Sequence, residues 1–186
     1  MKTRKESLQL LKEWVKSESL RNHCLAVAST MEGYAKKRNL DMEEIDMYWI
    51  TGLLHDLDYE RYPDINVHPI KGCQELRKRK YPEEIIEAIL GHNNATGIKR
   101  YSLMAKTLFA VDEISGLIVA LSKVRPLRFE GMNAKTVEKV MKKKDFAAAI
   151  NREEIEKGII ELEVERGEHF EIVIEAVNNM NCDLIK

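Results

Sequence analysis

The chain has 186 residues, 44% of them apolar, with 30 Lys and Arg against 31 Asp and Glu for a formal net charge of -1. That length can enclose one apolar core without disulfides, the apolar share excludes disorder, and the charge balance excludes affinity built on broad neutralisation of nucleic-acid phosphates. Apolar runs such as Leu117–Leu121 stop at five residues, far short of the roughly 20 that a membrane span needs.

Residues 4–17 carry Leu8, Leu11, Trp14 and Val15 at helical spacing, and 19–37 continue with Leu20, His23, Cys24, Val27, Met31 and Tyr34, which predicts two amphipathic helices. The stretch after the basic N-terminus is amphipathic, unlike a signal core, so a cytoplasmic, non-membrane protein is expected. Asp41 with Glu44 three residues later forms a capping-box pattern, opening a helix through Ile45, Trp49, Ile50, Leu53 and Leu54 that ends near Leu57. Asp58–Val67 reads as a loop, with Tyr59, Tyr62, Pro63, Asp64 and Asn66. A helix from His68 to Lys80 follows. Pro82 suits the first turn of the next, Glu83 and Glu84 complement its dipole, and Gly91 to Gly97 closes it just after His92. Residues 102–124 are apolar on most sides and predict a central helix, and beyond Pro126 shorter helices are expected at 134–143, 151–165 and 168–181. The strongest strand-like pattern is Phe170–Ile174, and no internal repeat is visible. The fold class is all-α.

Cys24, Cys73 and Cys182 include no Cys-x-x-Cys pair, so neither a disulfide framework nor a thiolate zinc site is suggested, and reduced, mostly buried thiols are expected. Histidines are more informative. Four of the five, His23, His55, His68 and His92, fall on helix faces or ends, whereas His169 stands apart. Asp56 follows His55 at the end of an apolar helix, and Asp112 lies inside the most apolar one, where a carboxylate needs a partner. Imidazole and carboxylate together suit a hard or borderline divalent cation: Mn, Fe, Co, Ni, Zn or Mg. Adjacent helical residues diverge by about 100°, so His55 and Asp56 can share an ion only off a helix end or in a wedge between helices. Ser115 and Gly116, one turn past Asp112, leave room beside it.

The order His23, His55-Asp56, Asp112 resembles the HD superfamily of metal-dependent phosphohydrolases over residues 20 to about 125. His68, within His68-Pro69-Ile70-Lys71-Gly72, and His92, within Gly91-His92-Asn93, look like the additional histidines of members with a second metal. The resemblance implies a single HD-domain helical bundle over 1–186 with its core at 19–125, a helical extension at 126–186, and the metal site between central helices. It implies that His23, His55, Asp56 and Asp112 ligate one ion, that Asp56, His68 and His92 serve a second, and that Asp56 bridges. The implied activity is cleavage of a small phosphate ester, a nucleotide or related metabolite, by attack of metal-activated water. One departure is His55-Asp56-Leu57-Asp58 where many relatives read His-Asp-Ile-Gly.

Besides Asp56, Asp58 is a catalytic candidate, to orient water or pass a proton to the leaving group; a turn residue bonding nearby backbone is the competing reading. Lys123 and Arg125 after the central helix, and Lys144 and Arg152 around Phe146-Ala147, are candidate substrate-phosphate contacts, against a solvated surface. For His92 the competing role is a helix C-terminal cap. A di-iron oxygenase and a non-catalytic nucleotide-binding regulator remain alternatives on the same fold, and self-association into a homo-oligomer stays open.

Overall fold

A computed structural model describes residues 2–185, which among them form nine α-helices and no strand. The helices are α1 (Arg4–Trp14), α2 (Glu18–Lys37), α3 (Met42–Leu54), α4 (Ile70–Lys78), α5 (Glu83–His92), α6 (Leu103–Val124), α7 (Ala134–Met141), α8 (Arg152–Leu162) and α9 (Arg166–Asn178). The Asp41 box forms as the sequence predicts: Glu44 N–H donates to Asp41 Oδ1 at 2.9 Å and Asp41 N–H to Glu44 Oε2 at 3.2 Å. A second box, Thr3 with Glu6, opens α1.

Boundaries move where local chemistry outweighs periodicity. The first helix stops at Trp14, because Val15 turns extended and Ser17 caps α2 by accepting from Leu20 N–H. The helix expected from His68 begins at Ile70, because His68 N–H closes the preceding turn onto Asp64. Toward the C-terminus, Glu163 in the left-handed region ends α8 and the Glu165 carboxylate caps α9 two residues earlier than expected. Phe170–Ile174 lies within α9.

The apolar α6 runs through the centre, against α2, α5, α8 and α9. Its first half shares a core with Leu10, Leu25, Ile50, Leu53 and Ile85, and its second half shares another with Phe170, Val173 and Ile155. Two glycines set the closest approaches. A β-carbon at Gly52 would stand 2.7 Å from Ala28 Cα, and one at Gly158 2.6 Å from Ala110 Cα, so α3 on α2 and α8 on α6 pack at distances only glycine permits. Helix α9 is tied in by His169, which is wholly buried. Its Nδ1 accepts from Tyr34 O–H at 2.5 Å and its Nε2–H donates to Ala110 O at 3.1 Å. Cys24 and Cys73 are buried and Cys182 is exposed. No helix among the described residues is long and apolar enough to cross a membrane.

Candidate metal centre

Packing α2, α3, α5 and α6 together brings the six predicted ligands to one place. His23 projects from the second turn of α2, His55 and Asp56 come off the C-terminal end of α3, and Asp112 comes from the middle of α6. His92 is the last residue of α5 and His68 precedes α4. His23 Nε2 lies 3.0 Å from Asp112 Oδ1 and 3.2 Å from His55 Nε2, and His55 Nε2 lies 3.3 Å from Asp112 Oδ1. On the far side His68 Nε2 lies 3.1 Å from His92 Nε2.

Asp56 stands between the two groups with one oxygen for each. Its Oδ2 is 3.4 Å from His55 Nε2 and 3.7 Å from His23 Nε2, while Oδ1 is 3.3 Å from His68 Nε2 and 3.7 Å from His92 Nε2. Two ligand triads result, His23, His55, Asp112 and Asp56, His68, His92.

The ring orientations are fixed from behind. His55 Nδ1–H donates to Gly52 O at 2.8 Å and His92 Nδ1–H to Ile89 O at 2.5 Å. Each caps a carbonyl that its helix end leaves without an intrahelical partner, so His92 serves as a C-terminal cap while still presenting Nε2. His68 Nδ1–H donates to Asp58 Oδ1 at 2.7 Å. With Nδ1 the donor in all three rings, each neutral imidazole aims an Nε2 lone pair inward. Two lone pairs cannot face each other at the His68–His92 separation; a positive species, proton or metal cation, must lie between them. This donor set of four imidazoles and two carboxylates fits borderline divalent cations.

Electrostatics agree with the geometry. Burial disfavours charge on His55, but the adjacent Asp56 and Asp112 carboxylates outweigh it and hold its pKa well up. Burial likewise opposes charge on Asp56 and Asp112, yet the facing imidazoles keep both carboxylates well below their ordinary range. For His68, burial is outweighed by Asp56 and Asp58, which push the pKa up to about 9. Cations and protons therefore compete for the same nitrogens. Cys24, next to His23, stays outside the centre: it is wholly buried in the core, which pushes its thiol up to about 12.

Other expected site residues lie elsewhere or do other work. Asp58 is fully buried, with Oδ1 taken by His68 and Oδ2 by Gly72 N–H at 2.6 Å, so it faces the back of a ligand, away from solvent. Arg125 donates to the carbonyls of Arg128 and Glu130, and Arg152 to those of Lys143, Phe146, Ala147 and Ile150. Both guanidiniums thus hold their own loops. Lys123 is exposed near the end of α6, about three turns past Asp112. Lys144 is exposed on the segment that places Ile150 beside Gly116. The space beside Gly116 is filled by the chain itself: a β-carbon there would meet Ile150 Cδ1 at 3.1 Å and His23 Nδ1 at 3.6 Å.

Two neighbours escape the sequence reading. Glu113 accepts Asn151 N–H at 3.0 Å, and burial with the Asp112 charge beside it pushes its carboxyl up to about 7. Tyr59 packs edge-on against His68, ring centroids 5.1 Å apart. The signals available were an acid directly after Asp112 and an aromatic three residues past Asp56.

Residues 20–117 match the family HD, described as the HD domain. No curated protein and no solved structure matches the chain.

Proposed function

The chain belongs to the HD domain family, and from that premise we propose that it is a metal-dependent phosphohydrolase acting on a small phosphate ester, such as a nucleotide or related metabolite. The observation that carries this reading is the division of Asp56, whose two oxygens face two separate ligand groups. His23, His55 and Asp112 would hold one divalent cation, His68 and His92 a second, and Asp56 would bind both. When bound, such cations supply a nucleophilic water at neutral pH and neutralise charge on the phosphoryl oxygens.

The chain's own residues do the rest. Carbonyls of Gly52 and Ile89 and the Asp58 carboxylate keep the protons of His55, His92 and His68 on Nδ1, leaving each Nε2 as a ligand. The side chains of His23, Asp112 and Asp56 retain 23%, 19% and 13% of their exposure, against 0% for His55. Substrate thus approaches from the His23 side. No side-chain nucleophile is required.

The test loads the purified protein with Mn, Co, Fe, Ni or Mg and screens phosphate monoesters and diesters, with Asp56→Ala in parallel. Ester cleavage by the wild type and its loss in the variant are expected. Full cleavage by Asp56→Ala, or none by any loaded form, would overturn the proposal. Oxygen consumption by the reduced iron-loaded protein without phosphate release would replace it with an oxygenase.

A further inference from the structure

His23, the most exposed of the six ligand side chains, also lines a cleft of about 400 Å³. Leu20 and His23 of α2 form one wall, and Tyr59, Glu60 and Pro63 of the α3–α4 connection form the other. Tyr59 joins this cleft to the whole centre: it lines the space that His23 lines, and its ring packs at 82° against His68, which belongs to the other triad. Tyr59 is 45% exposed.

The charges around the cleft are as informative as its shape. Glu60 lines it, held by the N–H groups of Lys16 and Ser17 at 2.8 and 2.9 Å. The guanidiniums nearest in sequence are committed elsewhere. Arg61 donates to the Trp14 and Glu13 carbonyls and lies over the Trp14 ring, and Arg21 donates to Val15 O and Ile185 O. A phosphate chain extending into the cleft would meet the Glu60 carboxylate, the small polar residues Ser17 and Ser19 and an apolar wall, with no Lys or Arg among the lining residues, and burying its charge without a counter-charge is costly.

We propose that this cleft receives the leaving group of the substrate, that the group is uncharged and planar, and that Tyr59 selects it by ring contact. The phosphoryl group at the metal centre is then the substrate's only phosphate. Hydrolysis breaks the bond between phosphorus and the leaving-group oxygen; water gives its hydroxyl to phosphorus and its proton to the departing oxygen. This inference rests on the phosphohydrolase reading.

The experiment measures binding of phenylphosphonate and methylphosphonate to the Mn-loaded wild type, Tyr59→Phe and Tyr59→Ala, with Mn per chain measured in each. Adenosine 5′-monophosphate and 5′-triphosphate are then compared as substrates of the wild type. Aromatic contact predicts about a tenfold preference for phenylphosphonate in the wild type and in Tyr59→Phe. In Tyr59→Ala the preference falls near unity with Mn content unchanged, and the monophosphate is the better substrate. Equal binding of the two phosphonates by the wild type, preference for the triphosphate, or loss of Mn in Tyr59→Ala would overturn the proposal and leave the phosphohydrolase reading standing. Failure of the Mn-loaded protein to bind either phosphonate would overturn that reading, and this inference with it.

Discussion

Asp58 and His68 are locked together, the buried carboxylate accepting the Nδ1 proton at 2.7 Å while Gly72 N–H holds its other oxygen. Outer partners of this kind change metal affinity by about 10- to 100-fold. Asp58→Asn is therefore expected to weaken one of two Mn binding events by about that factor and leave the other unchanged. In the wild type, affinity at that group rises with pH, because His68 keeps a competing proton up to about 9 in the ion-free protein. Calorimetric titration with Mn at several pH values checks both, and two unaltered binding events in Asp58→Asn would contradict the assignment.

Gly52 determines whether α2 and α3 come close enough to present His23 to His55. Its missing β-carbon would stand 2.7 Å from Ala28 Cα, against backbone that cannot swing aside. Overpacking of this kind costs about 1–3 kcal/mol or more. Gly52→Ala should lower the melting temperature by several degrees, measured by calorimetry, whereas Gly97→Ala, with nothing within 4 Å, bears only the strain of its positive φ.

His169 gives stability a pH dependence distinct from the metal centre. Burial depresses its pKa to about 4, below the usual value of about 6.5. Above that usual value it is neutral both folded and unfolded. As pH falls from about 6.5 to 4 the unfolded chain takes up a proton that the folded one refuses, so stability declines by as much as about 3 kcal/mol. His169→Phe should be less stable at neutral pH, leaving Tyr34 O–H and Ala110 O without this partner, and its stability should fall less steeply over that window. Parallel pH-dependent denaturation curves would contradict the account.

Arg152 holds the 143–150 segment by its carbonyls, and Ile150 of that segment touches the space beside Gly116. Hydrogen bonds from a charged donor contribute about 1.5–3 kcal/mol each. Arg152→Ala should raise amide exchange across 143–151 with Mn content unchanged. Unchanged exchange would show that the segment holds itself.

Much of the centre was legible because helix ends and faces have fixed geometry. His23, the His55-Asp56 doublet and Asp112 fall where periodicity places buried faces, and His92 falls at a helix end that a glycine marks. The cations were not legible. Sequence does not say where a long side chain turns back, and Arg125 and Arg152 turn onto carbonyls of their own loops. Asp58 reads as a loop residue because its partners His68 and Gly72 lie 10 and 14 residues on. Gly52, isolated in an apolar helix, did carry a signal of close backbone approach.

The most direct measurement is the number of divalent ions bound per chain after Mn loading, by elemental analysis of the wild type and Asp56→Ala side by side. Asp56 offers one oxygen to each triad, so the account predicts two ions in the wild type and a loss at both positions in the variant. No bound ion in the wild type, or the same content in both proteins, would contradict it.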